Sequence, residues 1–438
     1  MAKNILRLVL ILNLFLAGCS TTKQINRLVK NDLLSNPAFI SAHTGISIYE
    51  PATGRYWYNL QGNKYFIPAS NTKLATCYAG MKYLGDSLAG IYYRENDDIL
   101  FVAPAGDPTF LHPDFSKQRT FDFLKNSKKQ IMMSTVGWQE ERWGGGWSWD
   151  DYNDYYAAER SAMPIYGNIL KLSGRLNNLI VSPAYFKNSI HIDTGLNLNL
   201  FPGEVHRNIS ENKFWVTKNN PEEHYTETPF YTGNDSVLIN LFSDTLHKII
   251  LKDSSLHELK NANEKVLYSQ PTDSMLKPLM HRSDNFFAEQ TLLMVSNKLL
   301  GIMNDEKIID TLLKSDFKDL PQKPNWVDGS GLSHYNLFSP QDFVTILNKI
   351  KNEFGMDRIK NILATGGTGT IKNYYKADSG FIYAKTGTLS GVVALSGFLY
   401  TKKNKLLIFS TLVNNHNSNS TIIRRGIEKF IEEVRNRN

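Results

Sequence analysis

Residues 65–85 read YFIPASNTKLATCYAGMKYLG. Upstream of them, Gly45–Tyr49 and Arg55–Asn59 have the composition of two strands joined by a turn that carries Pro51 and Gly54. Within the quoted stretch the period changes. Leu74, Cys77, Tyr78, Met81 and Leu84 recur at helical spacing and predict a helix with one apolar face. The chain therefore runs strand, short loop, helix, with Ser70 at the helix start and Lys73 one turn further on. A serine hydroxyl needs an adjacent base to act as a nucleophile, and residues three apart share a helix face. A lysine supplies that base when burial or neighbouring cations keep it neutral. The first helical turn also offers free N–H groups to a developing oxyanion. The same residues suit an ordinary N-cap followed by a surface lysine. Spacing alone does not decide, because Ser-x-x-Lys recurs at Ser210/Lys213 and Ser315/Lys318.

Two later motifs single out Ser70. Ser283-Asp284-Asn285 opens an apolar helical run in HRSDNFFAEQTLL, and Lys385-Thr386-Gly387-Thr388 lies in a predicted strand. The segment from Gly380 to Asn415 reads as three strands broken at Gly391 and at the Lys402–Lys405 turn, and residues 420–436 as an amphipathic helix with Ile423, Ile427, Phe430, Ile431 and Val434 on one face. Ser-x-x-Lys, Ser-x-Asn and Lys-Thr-Gly, in this order and in helix, loop and strand contexts, resemble the motif set of penicillin-binding proteins and class A β-lactamases. The long interval between the first two motifs is similar to that of the penicillin-binding protein 4 type of D-alanyl-D-alanine carboxypeptidase, serine peptidase family S13, which carries inserted domains there. AGDPTF (105–110), GWSWDDYNDYYAAERSAM (146–163), DGSGLS (328–333) and GGTGTIKN (366–373) also resemble that family.

The resemblance implies an α/β (α+β) fold: an antiparallel sheet flanked by helices, with a β-rich insertion. It implies a serine D-Ala-D-Ala carboxypeptidase, also active as a DD-endopeptidase, that acts on peptidoglycan stem peptides and is inhibited by β-lactams. Ser70 would form the acyl-enzyme. Lys73 would be the base, acting through Ser283 or directly, and Ser283 would pass a proton to the leaving amine. Asn285 would hold the amide of the acyl side. Lys385 would draw in the terminal carboxylate and Thr386 hydrogen-bond it, while the N–H groups of Ser70 and Thr388 hold the oxyanion. Gly387 would leave room for the substrate backbone. In the insertion, Asp150 or Asp151 would meet an ammonium on the stem side chain, and Tyr155 or Tyr156 its aliphatic part. The family often has arginine after DGSGLS; here His334 stands there, which leaves recognition of a side-chain carboxylate open. The stretch SDFKDLPQKPNW (315–326) has no Glu-x-x-x-Asn, so slow release of β-lactams is expected. The rival readings are a β-lactamase or esterase on the same scaffold, and a non-catalytic peptidoglycan-binding or β-lactam-sensing module.

The chain has 438 residues, a net charge of +7 and ordinary hydrophobic content, enough for two or three folded domains. The basic residues are scattered and no nucleic-acid motif is present. No metal-ligand spacing or phosphate loop appears, so no cofactor is expected. The two cysteines, Cys19 and Cys77, cannot organise a disulfide framework. Residues 1–23, MAKNILRLVLILNLFLAGCSTTK, form a signal-peptide pattern too short to span a bilayer comfortably. Leu16-Ala17-Gly18-Cys19 resembles the bacterial lipobox, which implies cleavage before Cys19 and lipid on its sulfur. The expected organisation is a signal peptide at 1–18, a lipidated tether at 19–31, a catalytic domain from 32–90 and 262–438, and a β-rich insertion at 91–261. The location implied is periplasmic and membrane-anchored, with Ser20 favouring the outer membrane.

Overall fold

The central sheet draws its strands from both ends of the chain. The computed structural model describes residues 22–175, 178–193, 205–217, 224–233, 235–253 and 264–438. The signal segment and Cys19 lie outside the described residues. Strands β1 (His43–Glu50) and β2 (Arg55–Leu60) join β14 (Ala364–Thr365), β15 (Ile382–Leu389), β16 (Val392–Tyr400) and β17 (Leu406–Asn414) in the order β14-β15-β16-β17-β1-β2. Every pairing is antiparallel. Strands β16 and β17 are buried along almost their whole length, which is why VVALSGFL and LLIFSTLV read as nearly unbroken apolar runs rather than alternations.

Helices cover both faces. On one face the helix Ser420–Arg437 packs Ile423, Ile427, Phe430 and Ile431 into a core that also takes Ile25, Leu28, Val29 and Leu33. Within the tether expected at 19–31, the described residues 22–31 are helical. Residues 22–28 are helical and continue as a wider π turn at Val29–Leu33, anchored by those four apolar side chains. The other face carries the helices Lys73–Tyr83, Thr272–His281, Asn285–Leu300 and Pro340–Ile362, the last broken at Gly355.

The helix Lys73–Tyr83 differs from the one-sided expectation: every residue from Lys73 to Met81 is buried. Its second face is made of small residues that pack on the helix Asn285–Leu300. At Gly80 an added Cβ would stand 2.9 Å from the Thr291 methyl. The helix that follows Ser70 is thus a central one, closed in on all sides.

Strand β3 (Ser87–Glu95) spans the start of the insertion expected at 91–261, and β13 (Lys265–Pro271) follows its end. These two strands pair with each other and close a five-stranded sheet with β4 (Ile99–Pro104), β5 (Gln130–Met133) and β12 (Ile250–Lys252). Two three-stranded sheets follow: β6 (Ile169–Arg175) with β7 (Asn178–Ser182) and β11 (His224–Pro229), and β8 (Ile190–Asp193) with β9 (Val205–Arg207) and β10 (Phe214–Thr217). One apolar core that includes Ile91, Val102, Leu172, Phe214 and Phe242 joins all three sheets to the helix Asp235–Leu246.

Candidate active site

The turn that presents Ser70 is held from several directions. Asn414, at the end of β17, accepts from the Ile67 N–H (2.7 Å) and donates to the Ile67 carbonyl (3.0 Å). Asn71 is fully buried and donates to Ser396 on β16 (2.7 Å), and Thr72 donates to the Ala69 carbonyl (2.9 Å). These anchors hold Ala69 at φ 47°, a conformation that a residue with a Cβ adopts rarely. Residues Ala69–Thr72 form a 3-10 turn that leads into the helix, and Ser70 caps neither segment. Its side chain faces Lys73 instead.

Lys73 is fully buried and has three hydrogen-bond partners: Ser70 Oγ (3.0 Å), Asn285 Oδ1 (2.6 Å) and the Ser330 carbonyl (2.6 Å). The Asn285 amide is oriented by its other end, where Nδ2 donates to the Tyr156 carbonyl (2.9 Å). Two of the lysine's partners therefore only accept, and the third is a hydroxyl. When Lys73 is neutral, its two N–H bonds go to Asn285 and Ser330 and its lone pair faces the Ser70 hydroxyl proton. Burial pushes the ammonium down to about 8, against the opposing pull of Asp328, Glu289 and Asp284. Lys73 contacts Ser70 directly, with no residue between them.

Ser283 also sits in strained backbone, at φ 62°. It lies just before the helix Asn285–Leu300, whose first turn is capped by Asp284 (Oδ1 accepting from Phe287 N, 3.0 Å). The Ser283 hydroxyl accepts from Lys385 Nζ (2.8 Å), which also donates to the Thr386 carbonyl (2.6 Å). Ser283 thus keeps its own proton free to donate. Lys385 is fully buried, and burial followed by the charge of Lys73 holds its ammonium well below the usual lysine range. Thr386 donates to Thr370 (2.8 Å), and Thr388 accepts from Arg424 (2.6 Å). At Gly387 a Cβ would lie 2.6 Å from the Pro68 carbonyl oxygen and 3.1 Å from Ala69 Cβ. The space that glycine leaves is filled by the Ser70 turn rather than by open groove.

The DGSGLS segment forms the floor. Asp328 is buried and accepts from Trp147 Nε1 (2.9 Å), Gly331 N (2.8 Å), Ser333 N (2.7 Å) and Asn336 Nδ2 (2.8 Å). That loop aims the Ser330 carbonyl at Lys73. Gly331 has φ +82°, and an added Cβ would be 2.0 Å from the Ala69 carbonyl oxygen. Glu289, one turn after Asn285, accepts from Ser330 N (2.7 Å) and pairs with Arg160 of the insertion (3.4 Å). Burial and the neighbouring Asp328 push the Glu289 carboxyl upward. Arg160 is 1% exposed and also holds Asp305 (2.5 Å) and Glu140 (3.1 Å).

The other expected residues are less concentrated. Tyr155 and Tyr156 line a cleft of about 320 Å³ together with Ser283, Asn285, His112, Lys171 and Arg282. The Tyr156 hydroxyl lies 2.9 Å from the carboxylates of Asp151 and Asp154. Asp150 is exposed, and neither it nor Asp151 lines that cleft. The His334 side chain is exposed, and its backbone N–H donates to the Gly146 carbonyl (3.3 Å), three residues before Trp149. The other Ser-x-x-Lys pairs have ordinary roles: Lys213 pairs with Glu211 (2.7 Å) and Ser315 donates to the Thr311 carbonyl (2.7 Å). Sequence reasoning missed the Ser330 and Tyr156 carbonyls, Glu289 with Arg160, Thr370 and Arg424. Glu289 sat in plain view in SDNFFAEQ, four residues after Asn285, where the helical repeat returns to the same face.

Residues 27–434 match the family described as D-Ala-D-Ala carboxypeptidase 3 (S13). A D-alanyl-D-alanine carboxypeptidase from Actinomadura sp. (strain R39) is 24% identical over 88% of this chain and 80% of its own length. A penicillin-sensitive carboxypeptidase A from Dictyostelium discoideum is 21% identical, covering 95% of this chain and 92% of its own. The crystal structure of penicillin binding protein 4 from Haemophilus influenzae superposes with a TM-score of 0.72 at 19% identity, over 94% of this chain and 99% of that one, a likeness of fold.

Proposed function

The chain belongs to the D-Ala-D-Ala carboxypeptidase 3 (S13) family, and from this premise we propose that it hydrolyses the terminal D-Ala-D-Ala bond of peptidoglycan stem peptides through an acyl-enzyme on Ser70. The observation that carries this reading is the Lys73 amine, buried and 3.0 Å from Ser70 Oγ, with its other two partners both acceptors. Lys73 takes the Ser70 proton as the oxygen attacks the carbonyl. The backbone N–H groups of Ser70 and Thr388 receive the oxyanion. Ser283 gives its proton to the departing amine and regains one as Lys73 gives up the proton it took from Ser70. Water then releases the acyl group. β-Lactams acylate the same serine and leave slowly. The cleft beside Ser283 gives room for a second stem peptide, which supports cleavage of D,D-cross-links as well.

A cell-wall substrate places the enzyme outside the cytoplasm. Among the described residues no helix is long and apolar enough to cross a membrane. We assign attachment to lipid on Cys19, with the outer membrane as its site. A Cys19→Ser variant should then move from the membrane to the soluble fraction, and unchanged fractionation would refute the anchor. The activity is tested by digesting defined muropeptides, monomeric and cross-linked, with mass analysis of products. Release of D-alanine from pentapeptides, lost in Ser70→Ala, is the expected result. Intact substrates after prolonged incubation with the wild-type enzyme would contradict it.

A further inference from the structure

We propose that Glu289 is a positioning residue of the reaction: it holds the Ser330 backbone against Lys73 and fixes the pH range in which that lysine serves as base. This rests on the acyl-enzyme reading above. Glu289 belongs to the helix Asn285–Leu300, one turn beyond Asn285, and is 1% exposed. The hydrogen-bond partners of Lys73 are Ser70, Asn285 and Ser330, so Glu289 acts on the lysine through the backbone and through its charge.

Two peptide groups flank the Ser330 Cα, and each is gripped at both ends. The Gly329 carbonyl accepts from Thr76 Oγ1 (2.7 Å), and the Ser330 N–H of the same peptide donates to Glu289 Oε1 (2.7 Å). The Ser330 carbonyl accepts from Lys73 Nζ (2.6 Å), and the Gly331 N–H of that peptide donates to Asp328 Oδ1 (2.8 Å). Lys73 and Thr76 stand three apart on one helix, so one helix face takes two successive carbonyls while two carboxylates take the two N–H groups. The loop packs hard on the helix of Glu289: a Cβ at Gly329 would lie 2.7 Å from the Ala288 carbonyl oxygen. Without Glu289 the Ser330 N–H becomes a buried donor with no acceptor. Its peptide is then free to turn, and the aim of the next carbonyl at Lys73 loosens.

Charge gives the second effect. Glu289 faces Arg160 of the insertion, Asp305, Asp328 and, across the Ser330 peptide, Lys73. Arg160 is shared with Asp305 (2.5 Å) and Glu140 (3.1 Å), so it does not neutralise Glu289 alone. Lys73 faces Asp328, Glu289 and Asp284, with the Lys385 ammonium also near. Burial drives the proton off Lys73, and those three carboxylates hold it on. Burial and Asp328 push the Glu289 carboxyl up toward the range in which Lys73 titrates, so the two groups ionise together. Once ionised, Glu289 keeps the lysine protonated to higher pH. An uncharged residue of the same shape would free the lone pair at lower pH.

The test is the rate at which a penicillin acylates Ser70, followed by intact-protein mass across the neutral and alkaline range and at several penicillin concentrations. Glu289→Ala should lower the plateau rate about 10- to 100-fold, while the half-saturating concentration changes less than about threefold. In Glu289→Gln the amide oxygen still accepts from Ser330 N–H, and Arg160 keeps Asp305 and Glu140. It should recover most of the plateau, yet move the inflection of the profile by about one unit toward lower pH. A side chain that only supports the fold would leave that inflection in place. An inflection at the wild-type pH or above it in Glu289→Gln, or equal plateau losses in the two variants, would overturn the assignment. If Glu289→Ala does not fold, the inflection of Glu289→Gln decides alone. Failure of the acyl-enzyme reading looks different: the wild-type protein would gain no mass, or Ser70→Ala would gain it.

Discussion

In the proposed mechanism Lys73 acts as the base because of where its two N–H bonds must go. The carbonyls of Asn285 and Ser330 can only accept, so the lone pair is left for Ser70. Burial makes that lone pair available near neutrality by pushing the ammonium down to about 8. The sign is fixed: protonated lysine cannot take the serine proton, so acylation should rise with pH and level off above about 8. A penicillin acylation rate that is flat across the neutral and alkaline range would contradict this. Lys73→Arg holds the charge permanently and should cost about 10²- to 10⁴-fold in the same assay. Lys73 as a candidate was legible in the sequence because Ser-x-x-Lys names a side chain at fixed spacing. The carbonyls of Ser330 and Tyr156 were not, since a backbone oxygen has no letter of its own and these two come from distant loops.

At the scale of elements, the site is the contact between β15 and the Ser70 turn. Gly387 permits that contact, with the Pro68 carbonyl only 2.6 Å from where a Cβ would be. Gly387→Val should push the strand off the turn, destabilise the fold by about 1–3 kcal/mol and lower acylation by more than about tenfold. Normal melting temperature and normal acylation in that variant would refute the packing account. The strands and the helix after Ser70 were readable because turn residues and apolar period are local signals. The N-terminal helix was not. Its polar residues, from Thr22 to Arg27, outnumber the buried Ile25, Leu28 and Val29, and only the partner helix at the far end of the chain explains why those three matter. The pairing of β3 with β13 was hidden for the same reason, because the two strands meet across a long interval of sequence.

At the scale of the molecule, the insertion reaches Lys73 through a buried charge. Arg160 holds Glu289, which fixes the Ser330 backbone, whose carbonyl holds Lys73. Arg160→Met would strand the carboxylates of Glu289, Asp305 and Glu140 without their cation. Thermal unfolding should register a loss of about 3–5 kcal/mol, the usual result of removing one partner from a buried ion pair. A variant as stable as the wild type would mean that the two parts of the chain are held together elsewhere. The segment 315–326 carries no Glu-x-x-x-Asn, so nitrocefin should acylate the enzyme in a burst and then turn over slowly. Sustained rapid hydrolysis would favour a β-lactamase on this scaffold.

The most direct test of the central claim is to map the adduct. The protein is incubated with a penicillin, digested, and its peptides sequenced by tandem mass spectrometry. The penicilloyl group should sit on Ser70 in the PASNTK peptide and be absent from Ser70→Ala. An adduct on Ser283 or any other residue, or none in the wild-type protein, would contradict the account.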